Sequence, residues 1–176
     1  SSPPPPPPPP EGTGTVFSRQ LAGSGGGGIG HTVRQALSAG ALSAPPGVPT
    51  KIRLTIKAAQ GEGLALAGMH IGHLTGQYSF AAQPVPMLFS GSQNVQIPAG
   101  TTAVTDWALF SWDKSSNLLL SFYLGAQDDS AARDTAFAQA QYYYKAGDDA
   151  ATANASGYIS AGNIWDGVIS IEMDGF

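Results

Sequence analysis

The residues of this chain best suited to recognising another molecule are aromatic: Trp107, Trp112, Trp165 and the run Tyr142-Tyr143-Tyr144, followed closely by Asp148. An aromatic face flanked by carboxylate or carboxamide groups suits a sugar ring. The axial hydrogens of the sugar stack on the π surface, and its hydroxyls hydrogen-bond to the polar neighbours. Trp107 and Trp112 are five positions apart, so in a regular strand one points inward and the other outward. In the tyrosine run the central ring opposes the outer two, which predicts at least one exposed phenol beside Lys145 and Asp148. Together these residues form the candidate carbohydrate site. The competing reading is that the same rings pack the edges of the fold or a neighbouring subunit.

Other chemistries have less support. Serines are plentiful, but none lies in a G-x-S-x-G elbow, and there is no cysteine, so no catalytic residue is assigned. His70 and His73 form an H-x-x-H, but three positions apart on a strand they face opposite ways, and a joint metal site would need a turn at Gly72. The doublets Asp128-Asp129 and Asp148-Asp149 lack the alternating spacing of a calcium loop and read as solvated turns. No metal and no other cofactor is expected. Gly23-x-Gly25-x-x-Gly28 has the form of a dinucleotide fingerprint, but the region about twenty residues on, around Val48, carries no acid, so the stretch reads as a hinge. Asn154-Ala155-Ser156 is a formal glycosylation acceptor, relevant only to a secreted eukaryotic protein.

The elements that must position the aromatics are strands. Residues 94–125 hold three apolar runs, NVQI, AVTDWALFSW and NLLLSFYL, separated by the turn sequences Pro98-Ala99-Gly100 and Asp113-Lys114-Ser115-Ser116. In the last run Leu118, Leu120, Phe122 and Leu124 share one face, and Leu119, Ser121 and Tyr123 share the other, only half-apolar face. Ile52, Leu54 and Ile56 alternate with Arg53, Thr55 and Lys57 in another half-buried strand with a basic outer side. In residues 64–74 the alternation changes register near Gly68, which predicts a bulge that keeps Met69 and Ile71 inward. Short strands are also expected at 15–21 and 141–145, and at 165–173 with Ile169, Ile171 and Met173 inward. Residues 31–41 are open between strand and short helix, and 131–140 between helical turns and loop. Pro84 and Pro86 are expected to break the chain, and 146–162 to be a long connection. The fold class is therefore all-β: an antiparallel, jelly-roll-like β-sandwich with an extended polyproline and glycine-rich N-terminal arm.

Composition fits this class. The 176 residues are 42% hydrophobic but only 11% charged, with 23 glycines and 14 prolines, as in a turn-rich, weakly charged β protein. A net charge of −4 offers no basic patch for a phosphate backbone, and no apolar run reaches the roughly 18 to 20 residues that span a bilayer. Neither nucleic-acid binding nor membrane insertion is expected. The start Ser1-Ser2-Pro3 reads as a chain that has lost its initiator Met and has no intact signal peptide. Pro3, Pro4, Pro5, Pro6, Pro7, Pro8, Pro9 and Pro10 offer no backbone N–H and fix φ, so they predict a polyproline II rod of about 25 Å, acting as stiff spacer or docking rod. The expected organisation is an anchoring arm at 1–14, a short strand and glycine-rich hinge at 15–30, and the sandwich at 31–176.

From Lys51 onward the runs KIRLTIKAAQGEGLALAGMHIGH, LFSGSQNVQIPAGTTAVTDWALFSW and NLLLSFYLG resemble the accessory jelly-roll module that accompanies the catalytic domain of many bacterial SGNH (GDSL-type) esterases. Similar modules occur in surface proteins of phages and of alphaproteobacterial gene transfer agents. The esterase's Gly-Asp-Ser and Asp-x-x-His blocks are absent, so the resemblance implies a non-enzymatic module that faces glycans or serves assembly. With the proline arm and glycine hinge it implies a head spike, fibre or decoration subunit on the surface of a phage-like virion. Such a subunit is expected to dock through its arm to a capsid or tail protein, to form a homo-oligomer, and to bind host-surface polysaccharide. The alternatives are a purely structural capsid cement protein and a detached carbohydrate-binding accessory module of a secreted esterase.

Overall fold

The computed structural model describes residues 12–22, 30–125 and 130–176; the octaproline, the glycine hinge and the Asp128-Asp129 doublet lie outside them. In chain order the strands are β1 (Thr13–Ser18), β2 (His31–Leu37), β3 (Lys51–Lys57), β4 (Leu64–Ala67), β5 (Met69–Thr75), β6 (Ser79–Phe80), β7 (Val85–Met87) and β8 (Asn94–Ile97). They continue as β9 (Thr102–Val104), β10 (Ala108–Leu109), β11 (Leu118–Leu124), β12 (Arg133–Asp134), β13 (Ala140–Ala146), β14 (Ile159–Gly162), β15 (Trp165–Asp166) and β16 (Val168–Asp174). A single 3-10 turn, Ala39–Ala41, follows β2, which resolves the open stretch 31–41 in favour of a strand.

A front sheet runs β1-β16-β3-β10, with β9 also on β3; a back sheet runs β14-β13-β2-β11-β5-β6, with β7 also on β5. Neighbours within both sheets are antiparallel, and two short ribbons, β4–β8 and β12–β15, complete the jelly-roll-like β-sandwich. The core lies between the sheets. Ile52, Leu54 and Ile56 of β3 and Ile171 and Met173 of β16 meet Leu118, Leu120, Phe122 and Leu124 of β11, all buried. Each such side chain removed from water contributes about 1.5–3 kcal/mol, which is what fixes the register of these alternating strands. Gln35, buried on the inward side of β2, spans the backbone N–H and C=O of Asp166 with its two amide ends.

Several expectations about the elements need correction. The run 103–112 is not one strand. It breaks after Val104 because the Thr105 hydroxyl accepts from Leu54 N–H at 3.0 Å, and the Asp106 carboxylate turns away to accept from Ser90 and Gly91 N–H at 3.1 and 2.8 Å. At Gly68 (φ +84°) the chain leaves the β4–β8 ribbon for β5, so Leu64, Leu66, Met69 and Ile71 are all buried; this is a crossing between two separately paired strands, not a bulge within one. Pro86 does not break the chain but sits inside β7 opposite His70, at the margin of the back sheet, where its missing N–H costs no ladder bond. A register slip between Val168 and Ser170 turns Val168 into the core and leaves Ile169 half-buried. Residues 131–140 form no helix, and β14 arises within the expected long connection.

The back sheet is covered on its outer side as well. Leu119 and Ser121 are fully buried, so β11 is enclosed on both faces. Leu119 packs with Ala36 and Phe80 in a second small core. Gly72 makes room for it: a Cβ there would lie 2.6 Å from Cδ1 of Phe80.

Candidate functional site

The structure scatters the aromatic candidates. Trp165 is fully buried, its Nε1 donating to Val168 O at 2.8 Å and its ring 5.5 Å from Phe17. Trp112 is 3% exposed and donates through Nε1 to Ser116 O at 3.0 Å. Neither has a face left for a ligand, because both close the inter-sheet core. Trp107, on the link between β9 and β10, is the outward indole at 36% exposure, with the Arg53 guanidinium 4.7 Å from its ring centroid. Trp107 and Trp112 thus do oppose each other, although the regular strand expected to impose this is absent.

The tyrosine run belongs to β13. Tyr142 points into the core, where burial pushes its phenol upward and its hydroxyl accepts from Arg133 at 3.4 Å. Tyr144 is half-buried, its ring 5.9 Å from that of His31. Tyr143 faces outward but is nearly covered, with the Tyr78 ring 5.3 Å away. No phenol of the run is exposed, contrary to expectation: Tyr142 and Tyr144 lie on the core side of β13, and residues 147–158 fold back over the side that Tyr143 faces. Asp148 itself is exposed and accepts weakly from Ala150 N–H at 3.4 Å. His70 faces this covered side, whereas His73 Nε2 accepts from Asp113 N–H at 2.9 Å. Among the described residues no group of three or more His, Asp, Glu or Cys converges to hold a metal.

What organises the covered side is a residue that sequence reasoning passed over. Arg34 lies on the outer face of β2, opposite Tyr143 on one neighbour and Ser121 on the other, and is fully buried. Its guanidinium donates to Tyr78 O at 2.8 Å, to Asp149 O at 3.0 Å, to Thr152 O and to the Tyr158 hydroxyl at 3.0 Å. It also lies 4.8 Å from the Phe80 centroid. Tyr158 passes its own hydrogen bond to Asp149 Oδ2 at 3.1 Å, and Lys145 Nζ is 3.5 Å from the same oxygen. Burial pushes Tyr158 up to about 12. Burial also raises Asp149, but hydrogen bonds from Thr152 and Tyr158, with the Lys145 and Arg34 charges, hold it below the usual carboxylate range. Thr32 adds a hydroxyl that donates to Gly147 O at 2.7 Å and accepts from Asp149 N–H at 2.8 Å. The available signal was a cation in the middle of an otherwise strand-forming run, HTVRQAL.

Beside this clamp lies a groove of about 370 Å³, within the range of small-molecule sites. It is built where the end of β2, the β5–β6 turn and the start of β13 meet, and its polar lining is Ser38, Gln77, Asn117, Gln139, Gln141 and Tyr143. Asn117 is anchored, its Oδ1 accepting from Ala39 N–H at 2.9 Å. Gln77, Gln139 and Gln141 are exposed, and among the described residues their side-chain amides make no hydrogen bond. A second groove, of about 310 Å³, runs along the β4–β8 ribbon and is mostly apolar. On the outer side of the front sheet, Val104 (47% exposed), Trp107 and Leu109 (77% exposed) leave apolar surface around Arg53.

A scan against protein-family models finds no match for this chain, and a search of curated proteins finds no significant similarity.

Proposed function

We propose that this chain is a non-enzymatic surface protein of a phage-like particle, a head spike, fibre or decoration subunit. In this reading it docks to a capsid or tail protein through Pro3–Pro10 and binds host-surface polysaccharide with its sandwich. The observation that carries the binding role is the convergence of Gln77, Asn117, Gln139 and Gln141 around Tyr143 from three separate segments of chain. A carboxamide offers two donors and an acceptor, and a sugar hydroxyl needs both kinds of partner. Of the sequence candidates, Tyr143 is the one this site retains. The docking role rests on the octaproline, a low-entropy rod of the kind that aromatic-lined grooves bind.

A glycan array probed with the full chain tests the binding role, with binding to surface polysaccharide as the expected result and a blank array as the result against it. Deleting residues 1–14 tests the anchor: particles that keep a normal complement of the truncated protein would overturn it.

A second reading, the cement protein, is favoured by the apolar surface at Val104, Trp107 and Leu109 on the front sheet. Rings and aliphatic groups exposed at a sheet margin suit contact with a neighbouring subunit. Light scattering of Leu109→Asp against the native chain tests it: a unit that stays assembled counts against that interface.

A further inference from the structure

We infer that the Tyr143 groove selects neutral saccharides and discriminates against acidic ones. The inference rests on the saccharide-binding reading above and narrows it to a ligand class. The groove's lining contains no charged side chain: its polar groups are four carboxamides, the Ser38 hydroxyl and the Tyr143 phenol. An acidic sugar entering it would shed water from its carboxylate and find no guanidinium or ammonium in return. That exchange is unfavourable, because carboxylates are recognised through charge-assisted pairs.

The nearest strong cation in register is Arg34, directly opposite Tyr143 on β2, and it is withdrawn from any ligand. It is fully buried and already donates to three backbone carbonyls and the Tyr158 hydroxyl. A neutral sugar meets no such penalty. Its hydroxyls match the free amides of Gln77, Gln139 and Gln141, which project from the β5–β6 turn, the approach to β13 and β13 itself.

The geometry also sets the mode of contact. Tyr78 packs against the Tyr143 ring at 5.3 Å, and Tyr143 is only 9% exposed, so it offers little open face for stacking. Hydrogen bonding by the amides, not aromatic stacking, leads in this site.

Calorimetric titration of the full chain with neutral gluco- and manno-oligosaccharides, and with acidic oligogalacturonate and oligoalginate of matched length, tests the inference. Binding is expected for a neutral series, unchanged in affinity between low and high salt and weakened about 3- to 10-fold by Gln141→Ala, the loss of a single hydrogen bond. Acidic oligosaccharides binding as tightly as neutral ones, or neutral binding indifferent to Gln141→Ala, would overturn the inference while leaving saccharide binding standing. No binding of either series overturns both.

Discussion

Arg34 donates from Nε to the Tyr158 hydroxyl at 3.0 Å, so a residue of the central back-sheet strand holds one from a loop more than a hundred positions away. The bond is part of a set that fastens residues 147–158 across the back sheet. A guanidinium is the one side chain that can serve so many acceptors from a fixed plane. Arg34→Met removes the buried donor that the Tyr78, Asp149 and Thr152 carbonyls share, and should cost about 3 kcal/mol in urea unfolding. Arg34→Lys keeps the charge but loses the fork and should fall between. Amide exchange should show the 147–158 segment losing protection first, and a variant within about 0.5 kcal/mol of the native protein would count against the clamp.

The three indoles should behave differently. Trp165→Ala empties a fully enclosed site and should cost about 3–5 kcal/mol, whereas Trp107→Ala gives up an exposed stack on Arg53 worth about 0.5–1 kcal/mol. Acrylamide quenching offers an independent check. The accessible share of the fluorescence should disappear in Trp107→Phe and persist in Trp112→Phe.

Acidification should destabilise the fold through its histidines before its carboxylates. Burial lowers both His70 and His73 from the usual 6.5, so below that value the unfolded chain takes up protons that the folded chain refuses. Stability should therefore fall as pH drops from 6.5 toward the folded values. In His73 the proton also displaces the bond that Nε2 accepts from Asp113 N–H. Unfolding midpoints measured from pH 7.5 to 5 should show this slope, and His70→Gln with His73→Gln should flatten it.

Gly72 and Phe80 should be energetically coupled. Gly72→Ala drives a Cβ to 2.6 Å from the Phe80 ring and should cost about 1–3 kcal/mol. Combined with Phe80→Leu the cost should be less than the sum of the single changes, since the smaller side chain relieves the clash. Strict additivity in a double-mutant cycle would show that Phe80 does not sit over Gly72 in solution.

Much of the framework was legible because burial on one face writes itself into a two-residue period. Ile52, Leu54 and Ile56, and Leu118, Leu120, Phe122 and Leu124, read directly as the two halves of a core, and the register change at Gly68 was visible as a slip in that period. Where local polar bonds overrode the pattern it misled. Thr105 and Asp106 spend their side chains on Leu54, Ser90 and Gly91, distant in sequence, and so divide a run that looked continuous. The slip beside Ser170 exchanged Val168 for Ile169 by the same kind of tertiary adjustment.

The site was less legible still. Sequence alone determined that the chain forms an antiparallel sandwich and that its aromatic residues divide between inside and outside, because alternation is a local property of the backbone. Only the tertiary structure decided which indole is outside, that Arg34 is buried, and that glutamines near 77 and 140 meet beside Tyr143. These depend on segments remote in sequence crossing the outer face of the back sheet, and no periodicity within one strand carries the information that another segment will cover it.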